Sequence, residues 1–171
     1  MKSFFSLILF ILAGSVIWAQ NPIDKTATLP RVFILGEHAK AYDALTQQYS
    51  HHQMLLDKCN NDMAMAYGKW MSMLKEMEAY ASQVNYNLDG LKLWLNVFFD
   101  KDGHIEHIAF YPKTASRVVP LDELKAFFKK FAEDYKFPLQ SDEAYVHFGH
   151  AAFPTAPKPL AQKQADTSKK N

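Results

Sequence analysis

The chain has 171 residues, 49% apolar and 14% aromatic, so it can bury a core and is not a disordered polymer. Nineteen basic and 18 acidic side chains leave a formal net charge of +1, without the electrostatic footprint of a nucleic-acid binder. Cys59 is the one cysteine, which excludes a disulfide within the chain.

Residues 1–20 read as a secretory signal peptide. Lys2 supplies the positive end, Phe4 to Trp18 is an apolar run broken by small residues, and polarity returns at Asn21-Pro22. The run is about 15 residues, short of the ~20 that cross a bilayer as a helix. Cleavage near Ala19 or Gln20 is therefore expected, leaving no integral membrane span and a periplasmic or secreted protein. An uncleaved inner-membrane anchor is the other reading.

Residues 21–35, with Pro22 and Pro30, read as a linker. Residues 36–85 read as a long helical segment. Tyr42, Tyr49, Leu56, Met63, Trp70 and Met77 recur at heptad spacing, and Leu45, His52, Cys59, Ala66, Met73 and Tyr80 form a second series. Two structures fit: one helix of about 45 residues, roughly 70 Å long, or a hairpin broken at Asn60-Asn61-Asp62, where Asn and Asp favour turns and caps. The unbroken phase favours one helix. A helix that long needs a partner to bury its stripe, most simply a second copy of the chain. Tyr49, Leu56, Cys59, Met63 and Trp70 are the candidate oligomerisation residues, with Cys59 placed for a disulfide between parallel copies.

The period then changes. Leu91, Leu93, Leu95, Val97 and Phe99 alternate with Lys92, Trp94, Asn96, Phe98 and Asp100, as in a strand. Asp100-Lys101-Asp102-Gly103 is a turn, and His104 to Tyr111 returns as a second strand. Its apolar phase slips between Ile105 and Ile108, which predicts a bulge or two partly covered faces. Leu121, Leu124, Phe127, Phe128, Phe131, Ala132 and Tyr135 mark an amphipathic helix, acidic at its start (Asp122, Glu123) and stopped by Pro138. A last strand spans about Ala144 to Phe153, and residues 154–171 lack an apolar pattern and read as a disordered tail. The fold class predicted is α+β: a long N-terminal helix or helical hairpin, then a β-β-α-β unit with a three-stranded, mainly antiparallel sheet over residues 86–153.

The block from about Met77 to Phe153 resembles the C-terminal domain family of TonB, the periplasmic energy transducer. The matching features are Glu78-Ala79-Tyr80 leading to Leu88-Asp89-Gly90, the turn Phe99-Asp100-Lys101-Asp102-Gly103, the helix start Leu121-Asp122-Glu123-Leu124, Phe137-Pro138 and the ending Ala152-Phe153-Pro154. The resemblance covers under half of the chain. The family's usual Ser-Gly is replaced by Lys113-Thr114-Ala115-Ser116, and its Pro/Lys-rich spacer is missing. The resemblance implies a sheet edge that accepts an extended peptide by strand addition. On this chain the implied partner-binding residues are Tyr145, Val146, His147, Phe148 and Gly149.

No catalytic pattern emerges: no Ser/His/Asp set, paired carboxylates or Gly-rich phosphate loop. Cys59 and His52 would lie about 10 Å apart along a helix, beyond hydrogen-bond reach. No metal site or cofactor is expected. His104 with His107, and His147 with His150, are three apart, which points them to opposite faces of a strand. Asp100, Asp102 and Gly103 lack the rest of a calcium loop. Met63, Met65, Met71, Met73 and Met77 suit either core packing or an adaptable binding face, and Trp94 with Phe98 either packs under the helix or forms an exposed aromatic patch. The predicted function is a non-enzymatic envelope adaptor whose partner is an extended peptide or envelope protein, with a homodimer through the helix as a further partner. The alternative is a structural scaffold that self-associates through its long helix.

Overall fold

A computed structural model describes residues 29–49 and 53–156. The predicted signal peptide and most of the predicted tail, residues 157–171, lie outside the described residues. The elements run β1 (Val32–Ile34), α1 (Ala39–Thr46), α2 (Leu55–Lys58), α3 (Met63–Gln83), β2 (Lys92–Phe99), β3 (Ile105–Pro112), α4 (Leu121–Asp134) and β4 (Tyr145–Ala152). No described helix is long and apolar enough to cross a membrane.

The α+β class stands, but two parts of the fold prediction are overturned. Among the described residues the sheet has four strands in the order β1-β3-β2-β4, not three. β1 runs parallel to β3, whereas β2 is antiparallel to both β3 and β4. The extra strand lies inside the stretch expected to be a linker. It is short enough, at three residues between Pro30 and Gly36, to escape a periodicity search.

The second correction concerns the helix. Among the described residues there is no long N-terminal helix: α3 has 21 residues and starts after a sharp turn. Asn60 and Asn61 both have left-handed backbone, at φ 56° and 59°, which a helix cannot continue through. Asp62 then caps α3, its Oδ1 accepting from the Met65 N–H at 2.9 Å. At the other end Asn85 (φ 55°) closes α3, and the Tyr86 N–H bonds to the Ala81 carbonyl at 2.8 Å.

Alternation along the strands divides the core in two. Leu93, Leu95, Val97 and Phe99 of β2 join Ile108 and Phe110 of β3 in one cluster with buried residues of α3 and α4, such as Trp70, Met73, Met77, Leu124, Phe128 and Phe131. On the opposite face Phe98 is fully buried by Tyr42 and Tyr49, whose ring centroids lie 6.2 and 5.3 Å away. Phe33 meets Tyr42 there, and the Asn96 Nδ2 donates to Tyr42 Oη at 2.8 Å. The helix stripe read from the sequence is thus divided between the two faces of the sheet. Tyr49 covers one face, Cys59 and Trp70 are buried beneath the other, Leu56 is half-buried against the same core, and Met63 alone is exposed. With no continuous helix, self-association through that stripe loses its basis.

The hairpin turn between β2 and β3 is fixed by its own polar atoms. Asp100 Oδ1 accepts from the Asp102 and His104 N–H groups at 2.9 and 2.8 Å. Gly103 sits at φ 92°, and a Cβ there would lie 2.3 Å from the Phe137 carbonyl oxygen. The phase slip in β3 appears as a register shift: Phe98 pairs with His107 and Phe99 with Ile105, leaving Glu106 unpaired.

Candidate functional site

β4 borders the sheet, so one row of its backbone groups faces away from β2. Its identity follows from the ladder. The Lys113 N–H bonds to the Lys92 carbonyl at 2.8 Å, so even-numbered residues of β2 turn toward β3 and odd-numbered ones toward β4. Leu93, Leu95, Val97 and Phe99 pair with Ala151, Gly149, His147 and Tyr145. The backbone of these β4 residues is therefore spent on the sheet. Val146, Phe148, His150 and Ala152 point their N–H and C=O groups outward.

Two parts of this edge are occupied from within the chain. Gln53 Nε2 donates to the Ala144 carbonyl at 3.1 Å, and Met54 forms a parallel bridge with Val146. Lys58 anchors the same segment, 2.8 Å from Glu143 and 3.1 Å from Asp142. Further along, the Trp70 indole N–H donates to the His150 carbonyl at 3.2 Å. Neither backbone group of Phe148 has an outward partner among the described residues, nor do those of Ala152.

Beside the open stretch runs a groove of about 810 Å³ between α3 and β4. Tyr67, Trp70, Met71 and Leu74 form its helix side, and His147 to His150 with Ala152 its strand side. A second hollow of about 410 Å³ continues it toward Met54 and Met63, sharing Tyr67, Trp70, His147 and Phe148. Met63 and Tyr67, one turn apart on α3, are 66% and 63% exposed, which leaves an apolar strip open along the groove. His147 lies against Trp70 with ring centroids 4.3 Å apart. Burial, with added repulsion from His150, pushes the His147 pKa down to about 4, so the groove floor is uncharged at neutral pH.

Of the five residues expected to bind a partner, only Val146 and Phe148 present backbone groups at the free edge, and Val146 is already bridged. Tyr145 is buried, stacked on Phe99 at 5.0 Å with its hydroxyl donating to the Leu139 carbonyl at 2.9 Å. Gly149 makes room for the Trp70–His147 pair, since a Cβ there would lie 2.8 Å from His147 Nε2. Sequence reasoning missed the edge role of His150 and Ala152 and the helix wall of Tyr67, while Met71 was among the methionines it offered for an adaptable binding face. Strand parity depends on which neighbour β4 pairs with, and nothing in its own residues declares that.

Among the described residues no group of three or more His, Cys, Asp or Glu side chains is placed to hold a metal ion. Cys59 is buried and its thiol pKa is raised, chiefly by desolvation. His52 lies outside the described residues. Comparison with protein-family models, with curated proteins and with solved structures finds no match for the chain.

Proposed function

We propose that this chain is a non-enzymatic, exported binding protein that captures an extended segment of another envelope protein by adding it as a strand to β4. One observation carries this. Among the described residues the outward backbone groups of Phe148 and Ala152 have no partner, and they lie beside an apolar groove walled by α3. A strand laid there would direct alternate side chains toward Tyr67, Met71 and Leu74 and the others past Phe148 and His150. The resemblance to the TonB C-terminal domain family, whose members take extended peptides on a sheet edge, points the same way.

The test is selection of displayed octapeptides on the full-length chain, followed by affinity measurement on the enriched sequences. His150→Pro removes one outward N–H and no ladder bond to β2, and proline is tolerated on an edge. We expect the selected peptides to bind His150→Pro about tenfold more weakly, one lost hydrogen bond plus a steric misfit. Failure to enrich any peptide, or equal binding to the variant, would overturn strand addition.

A further inference from the structure

Among the described residues, the second sheet face is covered at one end and bare at the other. Strand pairing places its side chains in rows. Tyr111, Trp94 and His150 stand side by side across β3, β2 and β4. In the next row Lys113 and Lys92 are neighbours, joined by the backbone bond between them, and Ala152 follows. Trp94 is 50% and Tyr111 52% exposed. Strands lie about 4.8 Å apart, so the aromatic row is roughly 10 Å long.

Like charges directly opposite each other weaken a sheet, and neither Lys92 nor Lys113 forms an ion pair among the described residues. Lys113 instead rests its ammonium 4.3 Å from the centroid of the Trp94 ring. An anion at the lysine pair would give both ammonium groups a counter-charge while lying beside the two exposed rings.

We propose that this strip binds an acidic polysaccharide. The apolar C–H face of a pyranose ring packs on Trp94 and Tyr111 by dispersion and weak C–H contacts. Its carboxylates meet Lys92 and Lys113, drawing the Lys113 ammonium off the Trp94 ring face that the sugar then covers. A flat bilayer fits less well, because α1, bound over Phe98 and through Tyr42 to Asn96, stands as a ledge beside the strip. Single-stranded nucleic acid calls for a broad basic field, and the chain carries a formal charge of only +1.

The experiment is calorimetric titration of the full-length chain with polygalacturonate, hyaluronate and alginate at low salt, with neutral dextran alongside. At least one uronic-acid polymer should bind and dextran should not, and binding should fade at high salt. Trp94→Ala, and separately Lys92→Glu combined with Lys113→Glu, should each weaken it about tenfold. Both sites are at the surface, and unchanged melting confirms that the variants fold. Absence of binding to all three polymers, or undiminished binding by both variants, would overturn the proposal. Stronger binding to phosphatidylglycerol vesicles or to oligo(dT) would do the same, as would a dimer in sedimentation that Trp94→Ala dissociates. Peptide capture at β4 stands or falls separately.

Discussion

His147 shows how one residue ties the groove to stability. Its ring is packed under Trp70 on the helix side of β4, and burial holds its pKa at about 4 against an ordinary 6.5. The unfolded chain therefore binds a proton at pH 6.5 that the folded chain refuses until pH 4. Stability from this group is complete above pH 6.5 and is lost as pH falls toward 4. Each unit of separation is worth about 1.4 kcal/mol. Urea unfolding at pH 7 and pH 4.5 should show the natural chain losing of order 2 kcal/mol more than His147→Phe. Carboxylates whose pKa is lowered by local bonds, such as Asp100, destabilise both chains alike on acidification and cancel in that comparison. Equal pH dependence in the two chains would mean that His147 is not shielded from water.

At the scale of elements, β4 carries two opposite duties on alternate residues. Tyr145, His147, Gly149 and Ala151 hold it to β2, while Phe148, His150 and Ala152 face away. Amide exchange followed by NMR should alternate along the strand, slow at odd positions and fast at Phe148, His150 and Ala152. Val146 should be intermediate because Met54 bridges it. Uniform protection from Val146 to Ala152 would show the edge closed by some other part of the chain, and the groove would have no open strand to offer. The strands themselves were legible: period-two patterning places β2, the Asp-Gly turn places the hairpin, and the slip between Ile105 and Ile108 marks the bulge. The direction of each edge was not. It depends on β1 taking the far side of β3 and leaving β4 as a border, and β1 is only three residues long.

Across the whole molecule, one apolar stripe in sequence serves two sides of one sheet. Heptad spacing runs from Tyr42 to Met77 without a break in phase, so periodicity alone reads it as a single helix. The helix stops first at Thr46 and again at two consecutive left-handed asparagines, and the heptad phase survives because the connecting lengths happen to match. Tyr42 and Tyr49 wrap Phe98, whereas Leu55 and Cys59 before the turn and α3 after it pack with Leu93, Leu95 and Val97 on the other face. The N-terminal layer is consequently part of the fold rather than a lead-in to it. Tyr42 is its keystone: it shields Phe98, meets Phe33 edge-on and accepts the Asn96 amide hydrogen bond. Tyr42→Phe keeps the ring and loses the hydroxyl, and should cost about 1 kcal/mol. Tyr42→Ala also uncovers Phe98, and should cost roughly 2–4 kcal/mol in urea unfolding, with new binding of a hydrophobic dye. If Tyr42→Ala is no worse than Tyr42→Phe, α1 does not close the second face, and the ledge beside Trp94 is not a fixed feature of the molecule.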